Sequence, residues 1–311
     1  MRRRFPVFVA SLLLAPGLAG PVHAASNLVA VSARGVDAAG CGSVACPCRT
    51  LQYAHNLVAP GGQLDVMESG EYGALTITKS VNVVYAGTGV ALVQPTGAGK
   101  NGVQVFAGAA DVVRLRGLTI EGGGGGLNGV VFRSGARLEI ADSAIRNFTS
   151  NGVTLAGANS RFSVIDTVIS DNAGFGLRAV PAATNAKGEM DGVQLLENAM
   201  GGALLENTSS ALTEVVVTKS VAMGNRAVSP GAGFRVAGAG ARLTLRETTS
   251  KDNRIGVSAN NGGVLRVSGS TLVGNDLAAE KQGGVIESFG DNVVRANAND
   301  SLATLTPVSN H

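Results

Sequence analysis

The sequence predicts an all-β fold, a parallel β-helix (solenoid) closed at its N-terminal end by one short helix. Three observations carry this expectation. Short strands alternate apolar and polar residues with period two. They recur in the same order roughly every 22 to 31 residues between positions 101 and 300. Each copy also holds a glycine and an asparagine at fixed places.

Each copy opens on a glycine and a short strand, at Gly102, Gly129, Gly152, Gly176, Gly202, Gly233 and Gly256. A turn and a second element follow, as in "RLEIADSAIRN", "RFSVIDTVISDN" and "RLTLRETTSKDN". Within "RLTLRE", Leu243 and Leu245 point one way, and Arg242, Thr244 and Arg246 the other. Leu138/Ile140, Phe162/Val164 and Leu265/Val267 occupy equivalent places. Hairpin pairing does not suit strands that recur in one direction. Pairing in parallel with the counterpart one coil along does, and a single coil buries too little apolar surface to offset the entropy of ordering it.

Copies close on Asn147, Asn172, Asn198, Asn225, Asn253 and Asn275, with Asn297 marking a degenerate seventh. Glycine and asparagine tolerate the left-handed backbone of a sharp turn. An asparagine in each coil can also bond to the asparagine of the next, so these six are the candidates for a structural ladder.

The ends divide the chain into four expected parts. Residues 1–24 read as a signal peptide: Arg2, Arg3 and Arg4 precede "FPVFVASLLLAPGLAG", too short and too broken by Pro and Gly to span a bilayer, and "VHAAS" offers cleavage after Ala24. The arginines hint at a twin-arginine signal, although a general secretory signal fits the stretch better. No cysteine follows the cleavage site, so no lipid anchor is expected. Residues 25–100 read as a cap and first coils, 101–300 as the repeats and 301–311 as a tail. In the cap, Thr50 is a candidate N-cap for a helix with Leu51, Ala54, Leu57 and Val58 at helical spacing, stopped by Pro60-Gly61. Its place is over the open end of the core, with Tyr53 and His55 as packing or surface residues.

Net charge is +3 with the leader arginines counted, so the mature chain is near neutral. With no Trp, three Tyr and no basic stripe, nucleic acid is excluded as a partner. The three cysteines lie together in "GCGSVACPCRT", and a disulfide from Cys41 to either Cys46 or Cys48 is expected outside the cytoplasm. A zinc site from these cysteines and His55 lacks the usual ligand spacing. No membrane span is expected once the signal is removed, leaving the protein periplasmic or extracellular.

The stretch "CPCRTLQYAHNLVAPGGQLDV", the later "GEYGALTITKSV", the coils led by Asn-Gly and the closing "SFGDNVVRAN" together resemble secreted bacterial right-handed parallel β-helix repeat proteins of the pectin/pectate-lyase-like superfamily. The resemblance implies right-handed coiling, which agrees with the handedness of parallel crossovers. It also implies what a catalytic member would carry. Lyases of the superfamily use an acidic calcium cluster and a basic residue on the outer face of one sheet. Hydrolases use several close aspartates, and epimerases an Asp-Pro-His-Asp run. This sequence has neither an Asp-Asp pair nor that run.

Strand alternation puts Arg133, Arg178, Glu206 and Arg235 on one outward face, about 4.8 Å apart per coil. Arginines so spaced suit the carboxylates of an acidic polysaccharide. Asp142, Asp166 and Glu247 share a turn position that could collect a cation, but the repeat period accounts for them. "GGGLNG" matches a dinucleotide fingerprint but leads into a strand rather than a helix. "TGAGKN" lacks the spacing of a phosphate loop, and His55 is the one internal histidine, so no Ser-His-Asp arrangement follows. No cofactor or metal is expected. The reading is a secreted, non-catalytic polysaccharide-binding or surface interaction module. The alternative is a divergent polysaccharide lyase or C5-epimerase acting on acidic glycans.

Overall fold

The repeated unit closes into a coil of three strands. Val130–Ser134 runs along one face, Arg137–Ala141 along a second and Ala144–Arg146 along a third. In the computed structural model, which describes residues 26–181, 185–209, 211–226 and 228–308, these strands pair in parallel with their counterparts in the neighbouring coils. The result is three sheets, of nine, twelve and ten strands. The molecule is a parallel β-helix with one α-helix, α1 (Leu51–Leu57), and a single 3-10 turn at Leu302–Thr304, among the described residues.

Inward side chains stack in columns along the axis. Ile120, Ile145, Ile169 and Leu195 follow one another in the ten-stranded sheet. Leu115, Ile140, Val164, Met190, Val217 and Leu245 do so in the twelve-stranded sheet. All belong to one continuous buried cluster, so each coil's apolar face is covered by its neighbours rather than by itself. Gly188 interrupts a second column where Phe162 stands: a β-carbon there would come within 2.0 Å of the Phe162 ring.

The corners explain the periodic polar residues. Asp142, Asp166, Lys219 and Glu247 each take a left-handed φ between 44° and 51°, as the first of the two corner residues that follow a strand of the twelve-stranded sheet. Gly192 occupies the same corner one coil after Asp166, and a β-carbon on it would meet the Asp166 Oδ1 at 2.4 Å. A side chain at Gly192 would therefore collide with Asp166 unless the acid moved.

The opposite corner holds the asparagine ladder. The Nδ2 of Asn172 donates to Oδ1 of Asn198 at 2.9 Å, Asn198 to Asn225 at 3.2 Å, Asn225 to Asn253 at 2.9 Å, Asn253 to Asn275 at 3.2 Å, and Asn275 to Asn297 at 2.9 Å. Asp300 ends it by accepting from the Asn297 Nδ2 at 2.9 Å. Asn147 stands outside this ladder, a correction to the repeat reading. The register of Ala144 to Val168 puts Asn147 level with Asp171, and both take left-handed φ values, 60° and 56°. Phe148 occupies the ladder position instead, and its backbone N–H donates to the Asn172 Oδ1 at 3.1 Å.

Both ends are capped. Thr50 is the N-cap of α1, its Oγ1 accepting from the Tyr53 N–H at 3.2 Å. The helix ends at Leu57, and Val58–Val66 is already a strand, so Pro60 and Gly61 lie within a strand rather than at the helix stop. The segment Ser26–Val31 adds a further strand beside Val58–Val66. At the other end the tail turns back, and Thr306–Pro307 pairs with Glu287–Ser288. Cys41 is disulfide-bonded to Cys48, leaving Cys46 free and exposed. No described helix is long and apolar enough to cross a membrane. The expected signal peptide lies outside the described residues.

Candidate functional site

A second asparagine column sits where the strands of the nine-stranded sheet begin. Asn128 Nδ2 donates to Asn101 Oδ1 at 3.0 Å, and the Asn151 N–H to Asn128 Oδ1 at 3.2 Å. These are the asparagines of the Asn-Gly pairs, so the pairs serve contact between coils as well as turning. The column ends at Phe175, whose N–H donates to Asn151 Oδ1 at 2.9 Å. Phe175 thus takes an asparagine's place. Its ring lies over Gly201, where a β-carbon would come within 2.8 Å of it.

A cleft of about 470 Å³ opens on the outer face of the nine-stranded sheet at this point. Its apolar floor is Phe175, Leu204 and Ala237, packed with Met200 into a cluster separate from the core. The register places Arg178 beside Leu204 and Leu204 beside Arg235, so a leucine lies between two arginines in one outward column. Glu206, two residues beyond Leu204, accepts from Arg178 Nη2 at 3.1 Å, with both side chains more than a third exposed, at 39% and 38%. Arg235 is half-buried and makes neither an ion pair nor a side-chain hydrogen bond among the described residues. Pro230 walls one side, its carbonyl accepting from Arg254 Nε at 2.8 Å.

The structure therefore brings Arg178, Glu206 and Arg235 together and leaves Arg133 apart, correcting the four-residue grouping. Arg133 is exposed on a coil two before that of Arg178, where pairing slips between Phe132 and Ser134. Sequence reasoning missed Phe175 and Met200. The signal was present in Phe175-Gly176, which stands where earlier coils have Asn-Gly. Of the two longer segments between strands, "VPAATNAKGEM" and "NRAVSPGAG", the second lends Pro230 to the cleft, and residues 182–184 of the first lie outside the described residues.

The groups with shifted titration lie away from this cleft. Burial, then the nearby Lys79 charge, lowers the His55 pKa. Burial lowers that of Lys79 and raises that of Tyr72. Hydrogen bonds from Ser32 and Ser80 lower those of Glu68 and Asp111. The cleft lining supplies two guanidiniums and one carboxylate held by one of them. No Lys, His or Tyr stands among its described residues. That is equipment for holding an anion against an apolar surface.

The family model of the right handed beta helix region matches residues 83–249, more than half the chain. Among solved structures, pectate lyase Pel9A matches with a TM-score of 0.68 at 15% identity, over 90% of this chain and 79% of that one. The A-module of the mannuronan C-5 epimerase AlgE4 from Azotobacter vinelandii matches with a TM-score of 0.41 at 12% identity, over 81% and 90%. At 15% identity the likeness to Pel9A is one of fold. No curated protein matches the chain.

Proposed function

The chain belongs to the family of right-handed β-helix proteins, and from that premise we propose that it binds acidic polysaccharide without transforming it, in the Arg178–Arg235 cleft. The observation that carries this reading is Arg235: a half-buried arginine lining the cleft that makes no ion pair among the described residues. A planar guanidinium matches a carboxylate through two parallel hydrogen bonds, and such charged bonds are stronger than neutral ones. Arg178 offers a second contact that must first loosen from Glu206.

Binding is favoured over turnover because abstracting a proton next to a uronate carboxylate needs a positioned base. Glu206, the one carboxylate among the described lining residues, is tied to Arg178. The Cys41–Cys48 disulfide supports a location outside the cytoplasm, where such polymers are met.

Retention on immobilised polygalacturonate tests the reading. Arg235→Ala is expected to weaken binding about tenfold, the size of one charged hydrogen-bond pair. Unchanged retention of the Arg178→Ala/Arg235→Ala double variant overturns the site. Ultraviolet absorbance from unsaturated uronates, formed on incubation with the polymer, overturns the non-catalytic part.

A further inference from the structure

The cleft is only partly an anion site, and its remaining surface names the kind of acidic sugar it fits. Phe175, Met200, Leu204 and Ala237 form an apolar cluster on the outside of the sheet, detached from the core, and they share the cleft with Arg235. In the outward column Leu204 follows Arg178 and precedes Arg235, one rung of about 4.8 Å from each. A ligand whose carboxylate reaches either guanidinium therefore lays its neighbouring ring substituents on leucine, methionine and phenylalanine.

A bare uronate presents hydroxyls there. A hydroxyl pressed on apolar surface loses its water without gaining a partner, which costs free energy. An acyl group on that oxygen removes the donor and adds a methyl that the floor can cover. An ester on the carboxyl has the opposite effect, because it removes the charge that Arg235 would pair. Resting on the reading of the cleft as an acidic-polysaccharide site, we propose that its ligand is a polyuronate O-acylated on its ring hydroxyls with its carboxylates free, and that Met200 and Leu204 select the acyl group.

Three forms of one polymer test this: polygalacturonate, its chemically O-acetylated form and its methyl-esterified form, each titrated against the full chain. The acetylated polymer is expected to bind about fourfold tighter per covered methyl than the bare one. The esterified polymer should bind most weakly. Met200→Gln should bring acetylated and bare polymer to within twofold of each other while both remain sensitive to Arg235→Ala. Leu204→Asn should do the same, and its thermal unfolding reports whether the sheet has stayed intact. Equal binding of acetylated and bare polymer, with Arg235→Ala still weakening both, overturns the acyl inference and leaves the anion site standing. Failure to bind all three polymers overturns the site itself and the inference with it.

Discussion

Gln52 on α1 is bonded through both ends of its amide to the backbone of one residue, Thr76, in the first strand of the nine-stranded sheet. The Thr76 N–H donates to Gln52 Oε1 at 2.7 Å, and Gln52 Nε2 donates to the Thr76 carbonyl at 3.3 Å. One turn along the helix, His55 Nε2 accepts from the Thr78 N–H at 3.3 Å. Leu75–Ile77 is the terminal strand of its sheet, so these side chains stand where another strand would pair. An open edge invites pairing with another chain, and here side chains from the helix occupy it.

Gln52→Ala is therefore expected to cost about 1–2 kcal/mol, the size of losing one or two hydrogen bonds with partners left unsatisfied. Urea denaturation measures the loss. Light scattering should show concentration-dependent association of the variant, because the freed edge has no other partner.

His55 makes the same cap sensitive to acid. The residue is 2% exposed, and its Nδ1 has no hydrogen-bond partner. Because Nε2 accepts from Thr78, the neutral ring carries its proton on Nδ1, and a second proton would set N–H against N–H. The folded pKa lies below the unfolded value of about 6.5. Stability is thus complete above that pH and falls as the pH drops below it, since only the unfolded chain takes up the proton. The decline continues until the folded pKa is reached, with a slope of at most about 1.4 kcal/mol per pH unit. Denaturation midpoints between pH 5 and 7 should flatten in His55→Gln. That window lies above the titration of the carboxylates whose pKa values are lowered, Glu68 and Asp111.

The ladder and the corner should respond differently to the same substitution. Asn225 is fully buried; its Oδ1 accepts from the N–H and Nδ2 of Asn198, and its Nδ2 donates to the Leu195 carbonyl and to Asn253. Asn225→Ala orphans several buried groups and should cost about 3 kcal/mol or more. Asn147→Ala gives up only an easy left-handed φ, worth about 1 kcal/mol. Comparing the two melting curves checks the assignment.

Glu206 neutralises one arginine of the cleft while both side chains stay accessible. Glu206→Gln should change stability by less than about 0.5 kcal/mol, as for other exposed pairs. It should also tighten polygalacturonate binding, because Arg178 is released to pair with the polymer. Isothermal titration at low and moderate salt would show both the tightening and its screening.

The solenoid was legible because every coil must meet the same requirement. Period-two alternation, a glycine at the strand start and an asparagine at the corner recur wherever a coil has to stack on its neighbours. Asn172 to Asn275 could be read as a ladder from spacing alone. Asn147 could not, since a shift of one residue at the corner separates a bonded asparagine from a merely left-handed one.

The candidate site was half legible for the same reason. Alternation put Arg178, Glu206 and Arg235 on the outside, but it says nothing of which outward residues face solvent and which face one another. The ion pair of Arg178 with Glu206, the detached cluster of Phe175, Met200 and Leu204, and the exclusion of Arg133 each depend on register across coils. By itself the sequence determined that the chain coils and stacks, because that demand is local and repeated in each turn. Which differences between turns converge on one cleft was decided by the tertiary structure, because residues 26 or 31 positions apart, as Arg178, Leu204 and Arg235 are, become neighbours only when adjacent strands align.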